Sequence, residues 1–312
     1  ERRTRMSEKT LKSIFVVLGI LVIVWLGSGL LSRRGGGGAA LDDGGLASLL
    51  EGLDETGVSQ IRIVGPSQTV SLQRSGGSWT VNGNVADSVT MARFWRSVVE
   101  AEVGGVVANN PGNHERMGLS TDSAWTVDFT LTDGGMTSLL VGKTGPVFPS
   151  GYVRLPDQDA VVVVSGDFRP TVVLSITEWR DKTILRMDTA SVVRVVLEMD
   201  EETHVAERVD TTWSVDGEPA NANTMRAVLD ELAHLVALGF VEDGEIFEEN
   251  PRRVVALGAG TDTLGIVVIT GEAGTRHART PGSTTVFEIP SFRVDRVTPD
   301  IEVLRAPDPG GA

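Results

Sequence analysis

A short motif at Gly142, Lys143 and Thr144 resembles the end of a phosphate-binding loop. The full motif places its first glycine five residues before the second, but this position is Thr137, and a Pro/Gly turn follows where the motif requires a helix. Backbone amides at a helix N-terminus are what hold phosphate in such loops. We therefore predict a hairpin turn at this point, and no nucleotide as a partner.

Metal and nucleophile chemistry finds little support in the sequence. There is no cysteine, which excludes a disulfide framework, a thiolate metal site and a thiol nucleophile. No Gly-x-Ser-x-Gly elbow occurs, and Ser78 lies in a hairpin pattern. No two histidines stand four residues apart, as they would in a helical zinc site; they are His114, His204, His234 and His277. The sequence predicts no metal site, no cofactor and no enzyme activity.

Two acidic clusters could bind a hard cation such as calcium, because carboxylate oxygens are its preferred ligands. Neither cluster shows the alternate-position loop with a central glycine and a closing glutamate. A pair of carboxylates could also serve a glycosidase, but 42 acidic residues give no basis for choosing one pair. We favour solvated acidic faces and keep divalent-cation binding as an alternative. The clusters are Glu198, Asp200, Glu201 and Glu202, and Glu242, Asp243, Glu245, Glu248 and Glu249.

The tryptophans could line a polysaccharide groove, since flat rings stack on the apolar faces of sugars. Trp79 and Trp213 recur at equivalent places in a repeated pattern, and such recurrence favours a role in the core. Better candidates for an exposed interaction surface are Tyr152 and Arg154, which alternate along one predicted strand.

Charge excludes another class of partner. The chain has 28 Lys and Arg against 42 Asp and Glu, for a net charge of −14. Binding to a nucleic acid backbone requires a basic face, so nucleic acid is not expected as a partner.

A stretch of 18 uncharged residues, IFVVLGILVIVWLGSGLL, covers residues 14–31. As a helix it would span about 27 Å, which matches the hydrocarbon core of a bilayer. More basic residues precede it than follow it, which predicts a transmembrane helix with residues 1–13 in the cytoplasm and the main body outside. A cleaved signal peptide is the alternative. Residues 32–54 are expected to form a Gly-rich tether and a short helix.

The elements that follow form a duplicated pattern. Residues 79–91 and 213–225 align without a gap, and 6 of their 13 positions are identical. Further along, Tyr152 aligns with His277, and upstream we align Ile61 with Val193. The sequence therefore predicts two tandem repeats. Their bounds are 55–187 and 188–305, with a disordered tail at 306–312.

Each repeat shows the same order of local signals. Alternating strand patterns lead to turn residues at Asn82-Gly83 and Asp216-Gly217. An amphipathic helix follows, with Asp87 or Asn221 as its N-cap, and then four short β-branched segments. We predict an α+β fold in which each repeat is an antiparallel meandering sheet with one packed amphipathic helix, preceded by the transmembrane helix.

The order of these motifs resembles the domain of unknown function 4340 family over residues 55–190. The motifs are a W-x-V-x-G strand, Met117-Gly118-Leu119, Val141-Gly142, Tyr152-Val153-Arg154-Leu155, the run Val161 to Val164, and Trp179-Arg180-Asp181-Lys182. The resemblance implies a bacterial, membrane-anchored protein found alongside components of ABC transporters, with no established catalytic residues. The second repeat departs from the motifs at His277.

These observations lead to one expected function and one alternative. We expect a non-enzymatic, single-pass membrane protein of the bacterial cytoplasmic (inner) membrane, with a periplasmic body that acts as an assembly or interaction module. The family resemblance implies an ABC transporter complex as its partner. The alternative is an extracytoplasmic binding module for a polysaccharide or a divalent cation.

Overall fold

The computed structural model describes residues 45–241, 251–271, 274 and 276–305. Of these residues, 43% are in strands and 25% in helices. The strands are β1 (Val58–Val64), β2 (Thr69–Ser75), β3 (Ser78–Val81), β4 (Asn84–Val85), β5 (Glu102–Ala108), β6 (Trp125–Leu131), β7 (Met136–Thr144), β8 (Ser150–Arg154), β9 (Val161–Ser165), β10 (Thr183–Arg186), β11 (Arg194–Met199), β12 (Glu202–Val209), β13 (Thr212–Val215), β14 (Glu218–Pro219), β15 (His234–Val236), β16 (Gly239–Phe240), β17 (Arg252–Leu257), β18 (Thr263–Thr270), β19 (Arg276–Arg279) and β20 (Phe287–Ile289).

The α-helices are short except for two of 12 residues each. They are α1 (Leu46–Glu51), α2 (Ser88–Val99), α3 (His114–Met117), α4 (Phe168–Val172), α5 (Ile176–Trp179), α6 (Ala222–Ala233), α7 (Ser291–Val297) and α8 (Ile301–Leu304). Single 3₁₀ turns occur at Pro111–Asn113, Thr189–Ser191 and Ala259–Thr261.

The strands form two large antiparallel sheets with the same strand order. The first is β4-β3-β2-β1-β6-β7-β8-β9-β5, the second is β14-β13-β12-β11-β17-β18-β19-β20-β16, and β10 pairs with β15 in a separate ribbon. The prediction of an α+β fold is therefore wrong, because the described chain is mainly β. Strand β5 accounts for part of the error. Gly104 and Gly105 weaken its strand pattern, and pairing with β9 overrides that local preference.

The predicted membrane helix falls on residues 14–31, which lie outside the described residues, as do the predicted cytoplasmic segment 1–13 and tail 306–312. Within the described ranges, no helix is long and apolar enough to cross a membrane. The prediction of a single-span protein of the inner membrane with a periplasmic body is corrected accordingly, because this part of the chain shows no membrane anchor.

The chain divides into two compact units. The described part of the first unit consists of residues 45–82 and 91–174. Its core contains Phe94 of α2, which is fully buried and whose ring centroid lies 6.4 Å from those of Phe129 and Phe168. Burial of such a side chain contributes about 1.5–3 kcal/mol. The aromatic cluster therefore fixes α2 against the inner face of the sheet.

The described part of the second unit begins with residues 83–90 and continues from 175. Its helix α6 starts at Asn221, whose side chain accepts hydrogen bonds from two amides of the first turn, as predicted. Met225, Val228 and Leu232 are buried along one face and join the core. The spacing of three and four residues is that of an amphipathic helix on a sheet.

Strand register shows which residues occupy equivalent positions in the two sheets. Ile61 pairs with Leu72 on β2, and Val195 pairs with Ala206 on β12. Ile61 therefore corresponds to Val195, so the upstream alignment with Val193 was shifted by two residues. Because a strand alternates its faces every residue, a shift of two keeps the inward pattern and is invisible to the sequence.

Candidate functional site

Tyr152 and Arg154, the predicted interaction surface, lie on one face of β8 in the first unit. Tyr152 is partly buried and packs against a small cluster of Ala108, Met117, Leu119 and Val161. The Arg154 guanidinium donates from Nη1 to three backbone carbonyl oxygens, at 2.9–3.1 Å. Burial lowers the pKa of Arg154 below its usual range, although Asp159 opposes this. Arg154 thus holds its own turn in place, and its role in an interaction surface stays a prediction.

The residues singled out for metal binding are dispersed. Among the described residues, no group of three or more His, Asp or Glu side chains could hold a metal ion. Of the acidic clusters, Glu198–Glu202 lines a cavity of about 590 Å³, where Arg253 Nη1 donates to Glu198 Oε1 at 2.7 Å. The cluster at 242–249 lies outside the described residues.

The lysine of the phosphate-loop-like motif is in an extended strand. Gly142 and Lys143 belong to β7, and Lys143 Nζ donates to the carbonyl oxygen of Arg116 at 3.2 Å. Gly142 lies so close to the carbonyl oxygen of Met117 that a Cβ at this position would clash with it. Gly142 is therefore required for packing within a strand, and the prediction of a hairpin turn at Gly142, Lys143 and Thr144 is wrong, because β7 continues through Thr144.

The segment Trp179–Lys182 lies in the second unit and connects helix α5 to strand β10. Helix α5, which ends at Trp179, has a capping box, in which Ser175 Oγ accepts from the Glu178 amide and the Glu178 carboxylate accepts from the Ser175 amide. Trp179 is fully buried and Arg180 is 6% exposed. An isolated bridge joins Arg180 to Ala86, and the equivalent bridge in the second repeat joins Arg305 to Ala220.

Backbone hydrogen bonds hold this segment on both sides. The Asp87 amide donates to the Trp179 carbonyl oxygen at 2.8 Å. On the other side, the Ala237 amide donates to the Lys182 carbonyl oxygen at 2.8 Å, where the β10–β15 ribbon begins. The segment therefore runs from the end of α5 through an isolated bridge to β10, and its residues line two cavities.

We call the first of these the helix-side cavity. It has a volume of about 290 Å³ and is formed by the first turn of α2 and the end of β15, together with the segment itself. Arg186 Nη2 donates to His234 Nε2 at 2.9 Å. Within the described residues, neither Lys182 nor Arg186 forms an ion pair. The residues that line the helix-side cavity are Asp87, Ser88, Val89, Thr90, Glu178, Arg180, Asp181, Lys182, Thr183, Arg186, His234 and Val236.

The second, which we call the strand-side cavity, has a volume of about 200 Å³. The Arg180 guanidinium carbon lies 3.6 Å from the centroid of the Phe240 ring, and Nη2 donates to Asn84 Oδ1 at 3.2 Å. Its lining residues are Asn84, Val85, Arg180, Asp181, Thr183, Ile184, Phe240, Thr280, Ser283, Thr285 and Phe287.

Sequence reasoning used Trp179–Lys182 as part of a family resemblance and did not identify it as a site. The capping box and the charged run Arg180-Asp181-Lys182 after it were visible signals. The partners across the two cavities come from distant parts of the sequence, which explains why the site itself was missed.

Comparison with known proteins gives one match. The model of a family described as Domain of unknown function (DUF4340) matches residues 84–251. Neither a curated protein nor a solved structure matches the chain. All residues lining the helix-side cavity fall within the matched range, whereas the strand-side cavity also uses residues 280–287.

Proposed function

Because the chain belongs to the DUF4340 family, we propose that it is a non-enzymatic interaction module that assembles with a protein partner through the helix-side cavity. The observation that carries this proposal is the pair Lys182 and Arg186. Both line the cavity, and neither has a carboxylate partner among the described residues.

The two cations line one concave surface of a chain whose net charge is −14. Such a concave, basic place is suited to an acidic segment of a partner, because charge complementarity speeds encounter and fixes register.

An apolar contact lies beside the two cations. Val89 in the first turn of α2 is 74% exposed and lines the same cavity. A partner segment that combines a carboxylate with an apolar side chain would satisfy both features. Burial of the valine against such a side chain would contribute up to about 1.5–3 kcal/mol to binding.

For the partner, we propose a component of an ABC transporter complex, which follows from the family resemblance. The alternative of a divalent-cation module has no supporting group of ligands among the described residues. The alternative of a carbohydrate ligand concerns the other cavity.

Cross-linking of the full-length protein tests the proposal. A photoreactive amino acid at Val89 is expected to capture a transporter component. The same amino acid at Val209, which is 64% exposed and lies outside the cavity, is the matched control and should capture none. Equal capture from both positions, or no transporter component from Val89, would contradict the proposal.

Charge reversal tests the recognition itself. The double variant Lys182→Glu, Arg186→Glu should weaken the complex by at least about tenfold, since like charges then meet across the interface. Arg226→Glu reverses an exposed arginine on α6 outside the cavity and should have little effect. Unchanged recovery of the partner with the double variant would refute the role of these cations.

A further inference from the structure

The strand-side cavity has a charged side chain built into its wall. Arg180 is 6% exposed, its guanidinium carbon lies 3.6 Å from the centroid of the Phe240 ring, and its Nη2 donates to Asn84 Oδ1. A guanidinium held by a ring contact and a hydrogen bond is positioned before any ligand arrives. This is a positioned polar group, unlike a flexible surface cation.

The opposite wall supplies hydroxyl groups from the β19–β20 loop. Ser283 Oγ accepts a hydrogen bond from the Thr285 amide at 3.1 Å, which shapes the loop. Within the described residues, the hydroxyls of Thr280 and Thr285 form no hydrogen bond, and both residues line the cavity. Each can donate one hydrogen bond and accept two.

Among the described residues that line this cavity, the charges balance. Arg180 carries one positive charge and Asp181 one negative charge, and Asp181 Oδ1 accepts from the Thr183 amide at 2.9 Å. A free anion would gain from the guanidinium and lose against the carboxylate. A neutral ligand with several hydroxyl groups could use both, together with the two threonine hydroxyls.

The size and the apolar lining of the cavity narrow the choice of ligand further. The volume of about 200 Å³ is below the range of about 300–1,000 Å³ typical of drug-sized sites. Val85, Ile184 and Phe287 add apolar surface next to the polar groups. A sugar ring combines hydroxyls at its edge with apolar C–H groups on its faces and is small enough for this space.

We propose that the strand-side cavity binds one neutral sugar residue, with Arg180, Asp181 and the hydroxyls of Thr280 and Thr285 as its hydrogen-bonding partners. This inference does not rest on the proposed protein partner, which uses the helix-side cavity, although Arg180, Asp181 and Thr183 line both cavities. The sugar could be free or at the end of a glycan, and the experiment distinguishes these two sources.

The test uses the purified full-length chain with named sugars. Glucose, galactose, mannose and N-acetylglucosamine are added at about 20 mM, and a ligand that prefers the native state must raise the melting temperature. Saturation-transfer NMR then reports direct contact and the dissociation constant. At least one of the four sugars should bind. A disaccharide of the same sugar that binds more tightly indicates a glycan end, and one that binds no better indicates the free sugar.

Two threonine variants test the site. The double variant Thr280→Val, Thr285→Val removes both hydroxyls at nearly constant volume and should weaken binding by at least about tenfold. Thr284→Val, an exposed neighbour outside the cavity, should bind like the wild type. If the double variant fails to fold, we use Ser283→Trp in its place. This substitution puts a large side chain into the cavity from the exposed β19–β20 loop and should abolish sugar binding.

Three results would overturn the proposal. These are no binding of any of the four sugars, unchanged binding by the cavity variants, and stronger binding of acetate than of any sugar. The charge-reversal variant at Lys182 and Arg186 should bind sugar normally. Failure of sugar binding with partner binding intact would therefore refute this inference and leave the proposed function standing.

Discussion

Substitution of Asp216 by Asn is expected to destabilise the protein in a pH-dependent way. Asp216 follows β13 at a positive φ of 51° and accepts three hydrogen bonds. The donors are the Val205 amide at 2.9 Å, His204 Nδ1 at 2.8 Å and Arg305 Nη2 at 3.1 Å. Asn82 occupies the equivalent turn in the first unit at a φ of 47°, so asparagine is compatible with this backbone.

The size of the effect follows from these bonds. Asparagine can keep the bond from the Val205 amide through Oδ1, but its Nδ2 then replaces the oxygen that accepts from His204 and Arg305, and an NH2 group cannot accept a hydrogen bond. A hydrogen bond to a charged group contributes about 1.5–3 kcal/mol. Because Asp216 and Arg305 are partly exposed, we expect the loss of these two bonds in Asp216→Asn to lower the free energy of unfolding by about 2–3 kcal/mol at neutral pH.

The sign of the pH dependence follows from the pKa of Asp216. Partial burial raises this pKa, but the hydrogen bonds from Val205, His204 and Arg305 outweigh burial and hold it below its usual value of 3.8. A carboxyl whose pKa is lower in the folded state stabilises the fold above its unfolded pKa. That contribution is lost as the pH falls through the folded pKa.

Urea denaturation of the full-length chain, followed by circular dichroism from about pH 7 to about pH 2.5, measures this difference. Wild type and Asp216→Asn should differ at neutral pH and converge towards the acid end. Glu202 lies 3.4 Å from His204 Nε2, and Glu218 lies 3.5 Å from Arg305 Nε. Both carboxylates are present in wild type and in Asp216→Asn, so their own titration is common to the two proteins compared. A difference that stays constant over this range would refute the reasoning.

The reverse substitution in the first unit is the matched control. Asn82 Nδ2 donates to the Thr69 carbonyl oxygen at 3.1 Å, and Oδ1 accepts from the Ser71 amide at 2.7 Å. Asn82→Asp removes the donor and sets a negative charge beside that carbonyl. Its cost should therefore grow as the pH rises, which is the opposite trend from Asp216→Asn.

Four further substitutions have expected outcomes. Glu231→Ala removes a buried carboxylate that pairs with two arginines of α7 and should cost about 2–4 kcal/mol in urea denaturation. Arg296→Ala removes its 60% exposed partner and should cost less than about 1 kcal/mol, so equal costs would contradict the reasoning. Arg154→Ala should raise hydrogen exchange at the amides of Leu155, Asp157 and Gln158, and unchanged exchange would argue against its role there. Gly142→Ala should cost about 1–3 kcal/mol because its Cβ meets a backbone carbonyl oxygen, and an unchanged melting temperature would exclude that clash.

Local chemistry made the turns and helix starts predictable. Asn82 and Asp216 tolerate positive φ, and each precedes a glycine that also has positive φ. The Asp87 side chain accepts from the Thr90 amide at 2.7 Å, as its predicted N-cap role requires. These features depend on a few consecutive residues, so they can be predicted directly from the sequence.

Pairing between distant segments was not predictable in the same way. Strand β10 finds its partner in β15, about 50 residues later, and the two carry no local signal for each other. The strand-side cavity likewise combines Asn84, Arg180 and Thr285. Contacts between side chains that are far apart in the sequence leave no periodicity or spacing in it, so such contacts cannot be predicted from local patterns.

The two repeats also show why an equivalent position need not keep an equivalent role. Arg180 and Arg305 occupy matching bridges, but Arg305 donates to Asp216 and lies 3.5 Å from Glu218, while the Arg180 guanidinium carbon lies 3.6 Å from the centroid of the Phe240 ring in a cavity wall. Two carboxylates bind Arg305 to the protein's own turn. Because the two arginines meet different neighbours, the proposed sugar site belongs to Arg180 and the residues around it and not to the duplicated arginine.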